Sequence, residues 1–211
     1  MTRTIHEGQP VLAAGVPLAQ AKTALILLHG RGSNAEDILS LAQEIGGAHV
    51  AALAPQAAGN SWYPLRFIEP IERNEPYLSS ALGVVEALVA YVEAQGISAE
   101  RIIIGGFSQG ACLASEYVAR NARRYGGLLV FSGGLIGNTV DVTRYPGTLS
   151  GTPVFIGCDP KDFHIPLERV QETSAQFRAM GAVVDERIYR DLGHTINEEE
   201  LEAARGIIAG L

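Results

Sequence analysis

A serine lies between paired glycines in the stretch IIIGGFSQGACLA, residues 102–114. Ser108 is the centre of a G-x-S-x-G motif that runs from Gly106 to Gly110. An apolar run typical of a strand precedes the motif, and a helix-like pattern follows it. Because the flanking glycines have no Cβ atoms, the strand and the helix can pass closely around a strained serine. The motif therefore predicts a serine hydroxyl that is exposed on a sharp turn and acts as a nucleophile.

A serine hydroxyl needs a neighbouring base, and two histidines follow Ser108 in the chain. His194 lies in DLGHTI, between a predicted strand and the last predicted helix, where a strand-end loop can reach the serine. His164 lies in GCDPKDFHIP, and we expect it to be a loop or cleft-rim imidazole. We therefore predict that His194 is the base.

The base needs an acid that orients it, and GCDPKDFHIP supplies two candidates after a predicted strand. These are Asp159 and Asp162, which both fall between Ser108 and His194 in the chain. That order is common among serine hydrolases. Residue types and spacing alone do not separate the two aspartates.

A tetrahedral intermediate needs preorganised donors for its oxyanion. The backbone N–H of Gln109, directly after the serine, is one expected donor. The loop LHGRGSN is expected to supply the other, because Gly30 and Gly32 leave the chain free to aim the N–H of Arg31. The Arg31 side chain is either a solvated charge or a rim group that attracts anionic substrates. We expect His29 to be structural rather than a base.

Short apolar runs alternate with amphipathic stretches along the whole chain. This alternation predicts an α/β domain with a mostly parallel sheet, and we expect one domain over residues 1–211. The predicted strands are 24–29, 49–53, 101–105, 127–131, 153–157 and 183–189, with an edge strand near 10–14. The predicted helices are 33–45, 75–95, 109–124, 166–180 and 197–208. Capping boxes are expected at Ser33-x-x-Glu36 and Asn197-x-x-Glu200.

The connection over residues 55–74 shows neither the strand nor the helix period. Irregular segments of this length are uncommon in compact domains and are often functional. This one carries Trp62, Tyr63 and Phe67. These aromatic residues either anchor the segment on the core or form the wall of a substrate cleft. An apolar rim near Trp62 could also serve a homodimer.

The composition argues against several other classes of function. The formal net charge is −7 and no basic run occurs, so a nucleic-acid partner is not expected. The apolar runs are shorter than the roughly 20 residues that span a bilayer, and the N-terminus lacks the pattern of a secretory signal. Cys112 and Cys158 form no ligand-like spacing. We expect two reduced structural thiols in a cytoplasmic protein.

Several motifs together resemble one family. LLHGRGSNAEDI, APQ, SWY, GGFSQGA, DFHIP and LGHTI occur in the order and spacing of the phospholipase/carboxylesterase family of α/β-hydrolases, over residues 22–208. The resemblance implies that Ser108 is the nucleophile and His194 the base. The family acid precedes a Val/Ile-Pro pair by three residues, which implies Asp162 here. It also implies oxyanion donors at Arg31 and Gln109.

The resemblance further implies an α/β-hydrolase fold without a cap domain, and without a metal or cofactor. The expected activity is hydrolysis of short- to medium-chain carboxylic esters through an acyl-enzyme. An acyl thioesterase or lysophospholipase is the alternative within the same chemistry. A lactone hydrolase and a hydrolase-fold protein that binds without turnover are the remaining alternatives.

Overall fold

The computed structural model describes residues 5–211, and within them seven strands form one sheet. The strands are β1 Val11–Gly15, β2 Thr23–Leu28, β3 Val50–Pro55, β4 Ile102–Phe107, β5 Gly127–Phe131, β6 Pro153–Cys158 and β7 Val183–Ile188. The α-helices are α1 Ala35–Ile45, α2 Tyr77–Ala94, α3 Gln109–Arg120, α4 Leu167–Ala179 and α5 Glu198–Ala209. Every predicted strand and helix is present, and the observed ends differ from the predicted ends by a few residues.

The strand order across the sheet is β1-β3-β2-β4-β5-β6-β7. Only β1 is antiparallel to its neighbour, so the mostly parallel sheet is confirmed. Phe107 at the end of β4 pairs with Phe131 at the end of β5, and Phe131 pairs with Gly157 of β6. The carboxyl ends of these three strands therefore lie side by side, and the loops that follow them meet at one edge.

The core has one layer on each face of the sheet. In β2, Ala24, Ile26 and Leu28 face the layer that contains α2, α3 and α4. Leu25 and Leu27 face the layer that contains α1 and α5. All five side chains are fully buried, because a central parallel strand is covered on both faces.

One predicted helix cap is wrong by a residue. The N-cap of α1 is Asn34, whose side chain accepts a hydrogen bond from the Asp37 N–H at 2.8 Å. Asparagine caps as well as serine does, and the Ser33 hydroxyl instead donates to the Asp37 carboxylate. At α5 the predicted capping box between Asn197 and Glu200 is confirmed.

Helix α2 is long and apolar enough, by length and composition, to cross a membrane, with a mean hydropathy of 1.3 over 18 residues. Core helices pass the same test. One face of α2 packs against the sheet through six buried side chains: Leu78, Ala81, Val85, Leu88, Val89 and Val92. This buried face is that of a helix that covers a sheet.

Candidate active site

Ser108 occupies a strained turn between β4 and α3, with φ 55° and ψ −117°. A Cβ atom on Gly106 would lie 2.4 Å from the Leu28 carbonyl oxygen, and one on Gly110 would lie 2.0 Å from it. The two glycines are therefore required by the close approach of β2. The Ser108 N–H donates to the Phe131 carbonyl at 2.9 Å, which ties the turn to β5. A left-handed φ at a non-glycine residue is costly and concentrates at functional sites.

His194 lies in the loop between β7 and α5 and contacts both of its expected partners. Its Nε2 is 2.8 Å from the Ser108 Oγ, and its Nδ1 is 2.6 Å from the Asp162 Oδ2. In the neutral ring, Nδ1 donates to the carboxylate and Nε2 accepts from the serine hydroxyl. The ring packs against Phe107 and His164, each with a centroid separation of 4.8 Å. These contacts hold Nε2 toward the serine.

Asp162 is the carboxylate that contacts the histidine. Its Oδ2 accepts from His194, while its Oδ1 accepts from the N–H groups of His164 at 2.8 Å and Ile165 at 3.2 Å. The residue is buried. Three hydrogen bonds hold the carboxylate in that position, where it can support a positive charge on the histidine.

Asp159 instead organises the loops. Its Oδ2 accepts from the Gly193 N–H at 2.7 Å, and its Oδ1 accepts from the Lys161 N–H at 2.7 Å. These backbone hydrogen bonds, led by that from Gly193, lower the pKa of Asp159. Asp159 thus connects the loop after β6 to the loop that carries His194.

The Arg31 N–H lies in the loop after β2, and the Gln109 N–H directly follows Ser108. Their role as oxyanion donors stays a prediction. Within residues 5–211, neither N–H donates a hydrogen bond to another protein group. The neighbouring Gly32 N–H, in contrast, donates to the Asn60 carbonyl at 2.7 Å. Two free N–H groups flanking a serine can bind a developing negative charge.

The Gln109 side chain fixes the segment that begins at Trp62. Its Oε1 accepts from the Trp62 N–H at 2.9 Å, and its Nε2 donates to the Tyr63 carbonyl at 2.8 Å. Trp62 itself is fully buried, and its indole N–H donates inward to the His29 carbonyl at 2.9 Å. Trp62 therefore anchors the segment on the core, and its contact with a substrate stays a prediction.

A cleft of about 600 Å³ opens beside Ser108. Tyr63 and Phe67 are among the residues that line it, and their contact with a substrate stays a prediction. The complete lining is Gly30, Arg31, Ser33, Tyr63, Pro64, Leu65, Arg66, Phe67, Glu69, Phe107, Ser108, Gln109, Cys112, His164, Ile165 and His194. The segment 55–74 therefore combines the two expected roles. Trp62 anchors the segment on the core, and the residues after Trp62 form the wall of the cleft.

His29 is structural, as expected. Its Nδ1 donates to the Gly30 carbonyl at 2.8 Å, and its Nε2 accepts from the Ala57 N–H at 3.1 Å. Burial lowers the pKa of this imidazole, so the ring remains neutral and connects the loops after β2 and β3.

The sequence profile of the family described as Phospholipase/Carboxylesterase matches residues 15–210. The chain belongs to the phospholipase/carboxylesterase family. It is therefore a serine-hydrolase-class enzyme that acts on ester bonds.

Named members of the family share most of the chain. A phospholipase/carboxylesterase from Dyadobacter fermentans, known from a crystal structure, is 45% identical, with a TM-score of 0.93 and 96% and 97% of the two chains covered. A probable carboxylesterase SOBER1-like of Arabidopsis thaliana is 28% identical over 87% of this chain and 77% of its own. Acyl-protein thioesterase 1 of Eremothecium gossypii is 29% identical over 89% and 87%. The chain has the α/β-hydrolase fold of this family, and residues 5–211 contain no cap domain.

Sequence reasoning missed several cleft residues of this family member, among them Phe107, Arg66 and Glu69. Phe107 is the x of the G-x-S-x-G motif, so its place next to the serine was available from the sequence. Arg66 and Glu69 lie in the segment that was already marked as irregular. Within residues 5–211, no group of three or more His, Cys, Asp or Glu side chains is arranged to hold a metal ion.

Proposed function

We propose that this enzyme is a serine carboxylesterase for short- to medium-chain carboxylic esters, with Ser108, His194 and Asp162 as its catalytic triad. The observation that carries the proposal is the continuous hydrogen-bonded chain from the Ser108 Oγ through His194 to Asp162, with bonds of 2.8 and 2.6 Å. This chain lies at the wall of an open cleft.

In the proposed acylation step, the Ser108 Oγ attacks the ester carbonyl carbon while His194 Nε2 takes the hydroxyl proton. The carbonyl oxygen becomes an oxyanion, which accepts hydrogen bonds from the N–H groups of Arg31 and Gln109. Asp162 stabilises the protonated imidazole. The C–O bond to the alcohol then breaks as His194 returns its proton to the leaving oxygen.

Deacylation repeats these roles with water. His194 removes a proton from the water, whose oxygen attacks the acyl carbon, and the proton then returns to the Ser108 Oγ. The products are one carboxylic acid and one alcohol. Protons move only among the Ser108 Oγ, the His194 Nε2, the leaving alcohol and the water, while Asp162 and the two N–H donors keep their protonation states.

The proposed preference for short and medium chains rests on the cleft. Its volume of about 600 Å³ lies between the triad and the segment that carries Tyr63 and Phe67, and we propose that these aromatic rings contact the substrate. Cleft volumes of this size accommodate small ligands. Phe67 is 5% exposed and Tyr63 is 1% exposed, so both side chains are packed within the wall.

An acyl thioesterase is the second candidate, because several relatives are named acyl-protein thioesterase 1. A relative named lysophospholipase-like protein 1, from mouse, adds lysophospholipids as a further substrate class to test. A thioester uses the same nucleophile and oxyanion donors. Comparing kcat/KM for an ester, a thioester and a lysophospholipid with one shared acyl group separates these candidates.

The direct test is hydrolysis of 4-nitrophenyl esters from acetate to palmitate by the wild type and by Ser108→Ala. We expect the highest kcat/KM for acyl chains of about four to eight carbons, and loss of about 10⁵-fold or more in Ser108→Ala. Faster turnover of palmitate than of butyrate would contradict the proposed chain length. Activity that persists in Ser108→Ala would contradict the nucleophile.

We also propose a cytoplasmic location. Cys112 and Cys158 are free and buried, which fits a compartment where thiols stay reduced. Localisation of the fluorescently tagged full chain tests this, and export from the cytoplasm would contradict it.

A further inference from the structure

The cleft carries positive charge in a chain whose net charge is −7. Arg31 and Arg66 both line it. Among the lining residues, all of which the structure describes, Glu69 alone has a carboxylate, and this carboxylate is paired with Arg73 at 2.5 Å. The cleft therefore holds cationic charge that no carboxylate of its own wall neutralises, and such a cleft attracts anions.

The two cleft arginines differ in how their donors are used. Arg31 donates through both terminal nitrogens, to the carbonyls of Pro64 at 2.8 Å and Leu65 at 2.5 Å. Arg66 donates only through Nη2, over the longer distances of 3.5 Å to the Phe163 carbonyl and 3.3 Å to the His164 carbonyl. In the part of the chain that the structure describes, the Nε and Nη1 of Arg66 have no acceptor. Arg66 is exposed, so these donors are accessible.

Arg66 lies next to His164, a neighbour of the proposed base. It contacts the backbone of His164, whose ring is 4.8 Å from that of His194. In the proposed mechanism, His194 must protonate the leaving alcohol, so the alcohol half of the ester lies beside His194. A group attached to that alcohol, a few carbons away, comes within reach of Arg66.

We propose that Arg66 determines substrate specificity by binding a carboxylate on the alcohol half of the ester. A guanidinium with free donors binds a carboxylate through charge-assisted hydrogen bonds. The substrate class is the ester of a hydroxycarboxylic acid. Its hydrolysis consumes one water, breaks the acyl–oxygen bond and releases a carboxylic acid and the hydroxycarboxylate, with no change in oxidation state. The inference rests on the proposed function.

Two isomeric probes test the position of the charge. 4-Butanoyloxybutanoate carries its carboxylate on the alcohol half, whereas butyl hydrogen succinate carries it on the acyl half. Pentyl butyrate is the neutral reference, and acid release at constant pH measures all three. We expect kcat/KM for 4-butanoyloxybutanoate to exceed that for pentyl butyrate by about tenfold at low salt, and the ratio to shrink at high salt.

Substitutions of Arg66 test whether this residue causes the preference for 4-butanoyloxybutanoate. Arg66→Gln should lower the ratio of kcat/KM for 4-butanoyloxybutanoate to that for pentyl butyrate by about tenfold, mainly through KM. Arg66→Lys keeps the charge and should restore part of the ratio. The matched control is Arg101→Gln, because Arg101 lies before β4, at the opposite edge of the sheet, and donates to the Leu211 carbonyl. This control should leave the ratio unchanged.

The possible results distinguish failure of the role proposed for Arg66 from failure of the proposed esterase function. A preference for butyl hydrogen succinate, or equal ratios in the wild type and Arg66→Gln, would overturn the role of Arg66 while leaving the esterase intact. Absence of Ser108-dependent turnover of all three esters would overturn the proposed function itself. A tenfold preference that Arg66→Gln removes and Arg101→Gln retains supports the inference.

Discussion

Asp162 and Asp159 lie three residues apart, yet one contacts a ring and the other contacts backbone. Asp162 accepts from His194 Nδ1, whereas Asp159 accepts from Gly193 and Lys161. We predict that Asp162→Asn lowers kcat for 4-nitrophenyl butyrate by about 10⁴-fold, because an amide donor beside Nδ1 favours the wrong tautomer of the base. Steady-state kinetics of the purified variant measure this.

Asp159→Asn is the matched control for that substitution. It removes a charge from the same loop but leaves the contact between the acid and His194 in place, so we expect kcat to fall by less than about tenfold. A larger loss in Asp159→Asn than in Asp162→Asn would reverse the assignment of the acid.

Some contacts of the candidate site could be predicted from the sequence, and others could not. The contact between Ser108 and His194 could be predicted because a motif and its neighbouring elements define both residues. Choosing Asp162 over Asp159 needed the family resemblance, since both follow the same strand. Whether the Trp62 side chain points into the core or into the cleft could not be predicted. An irregular segment has no hydrophobic period that would indicate which side of a residue is buried.

At the scale of elements, the contact between β2 and the serine turn leaves no room for a side chain. A Cβ on Gly110 would lie 2.0 Å from a backbone oxygen of Leu28, which has little freedom to move. We predict that Gly110→Ala lowers the free energy of unfolding by at least about 3 kcal/mol, with loss of esterase activity. Urea unfolding followed by circular dichroism measures the first quantity.

Gly83→Ala is the control, because a Cβ at this exposed position in α2 meets nothing within 4 Å. Alanine favours the helix over glycine, so we expect a gain of about 0.5–1 kcal/mol and unchanged kinetics. Equal stability changes in the two variants would show that close packing at Gly110 is not the reason for its glycine.

The regular elements could be predicted because continuous apolar runs and the 3.6-residue period mark buried strands and covering helices. Short elements could not. The 3₁₀ helices Ala58–Asn60 and Ile71–Asn74 span three and four residues, which is too short for a period to appear. They lie in the segment that forms the cleft wall, so the shape of the site follows from tertiary contacts.

At the scale of the whole molecule, one buried carboxyl makes stability depend on pH. Glu200 is fully buried in the first turn of α5, and burial raises its pKa from 4.5 to about 7. Between these values the folded state holds a proton that the unfolded state releases. The contribution of Glu200 to stability is therefore present below pH 4.5 and is lost as the pH rises to about 7.

Glu200→Gln removes this ionisation but keeps an oxygen that can accept from the Asn197 N–H, as the Glu200 Oε2 does at 2.9 Å. We predict that it raises the free energy of unfolding by about 1–3 kcal/mol at pH 8, and by less at pH 5. Urea titrations at both pH values measure the difference. The control is Glu199→Gln at the exposed neighbouring residue. It should change the free energy of unfolding by less than about 0.5 kcal/mol at either pH. A gain that is the same at both pH values would contradict the role of ionisation.

The alternation of strands and helices along the chain predicted a mostly parallel sheet. The order of the strands and the meeting of three loops at one edge could not be predicted, because they depend on long-range packing. That convergence brings Ser108, Asp162 and His194 together from positions up to 86 residues apart. The prediction of a single domain over residues 1–211 stays a prediction, as does the homodimer.

Ser108 is proposed to be the one activated nucleophile of this enzyme, and covalent trapping tests that assignment. The wild type and Ser108→Ala are treated with a fluorophosphonate, and intact mass and peptide mapping locate the adduct. We predict one adduct per chain, on Ser108, with parallel loss of ester hydrolysis and no adduct in Ser108→Ala. An adduct on another residue, or an unlabelled wild type that still hydrolyses esters, would contradict the account.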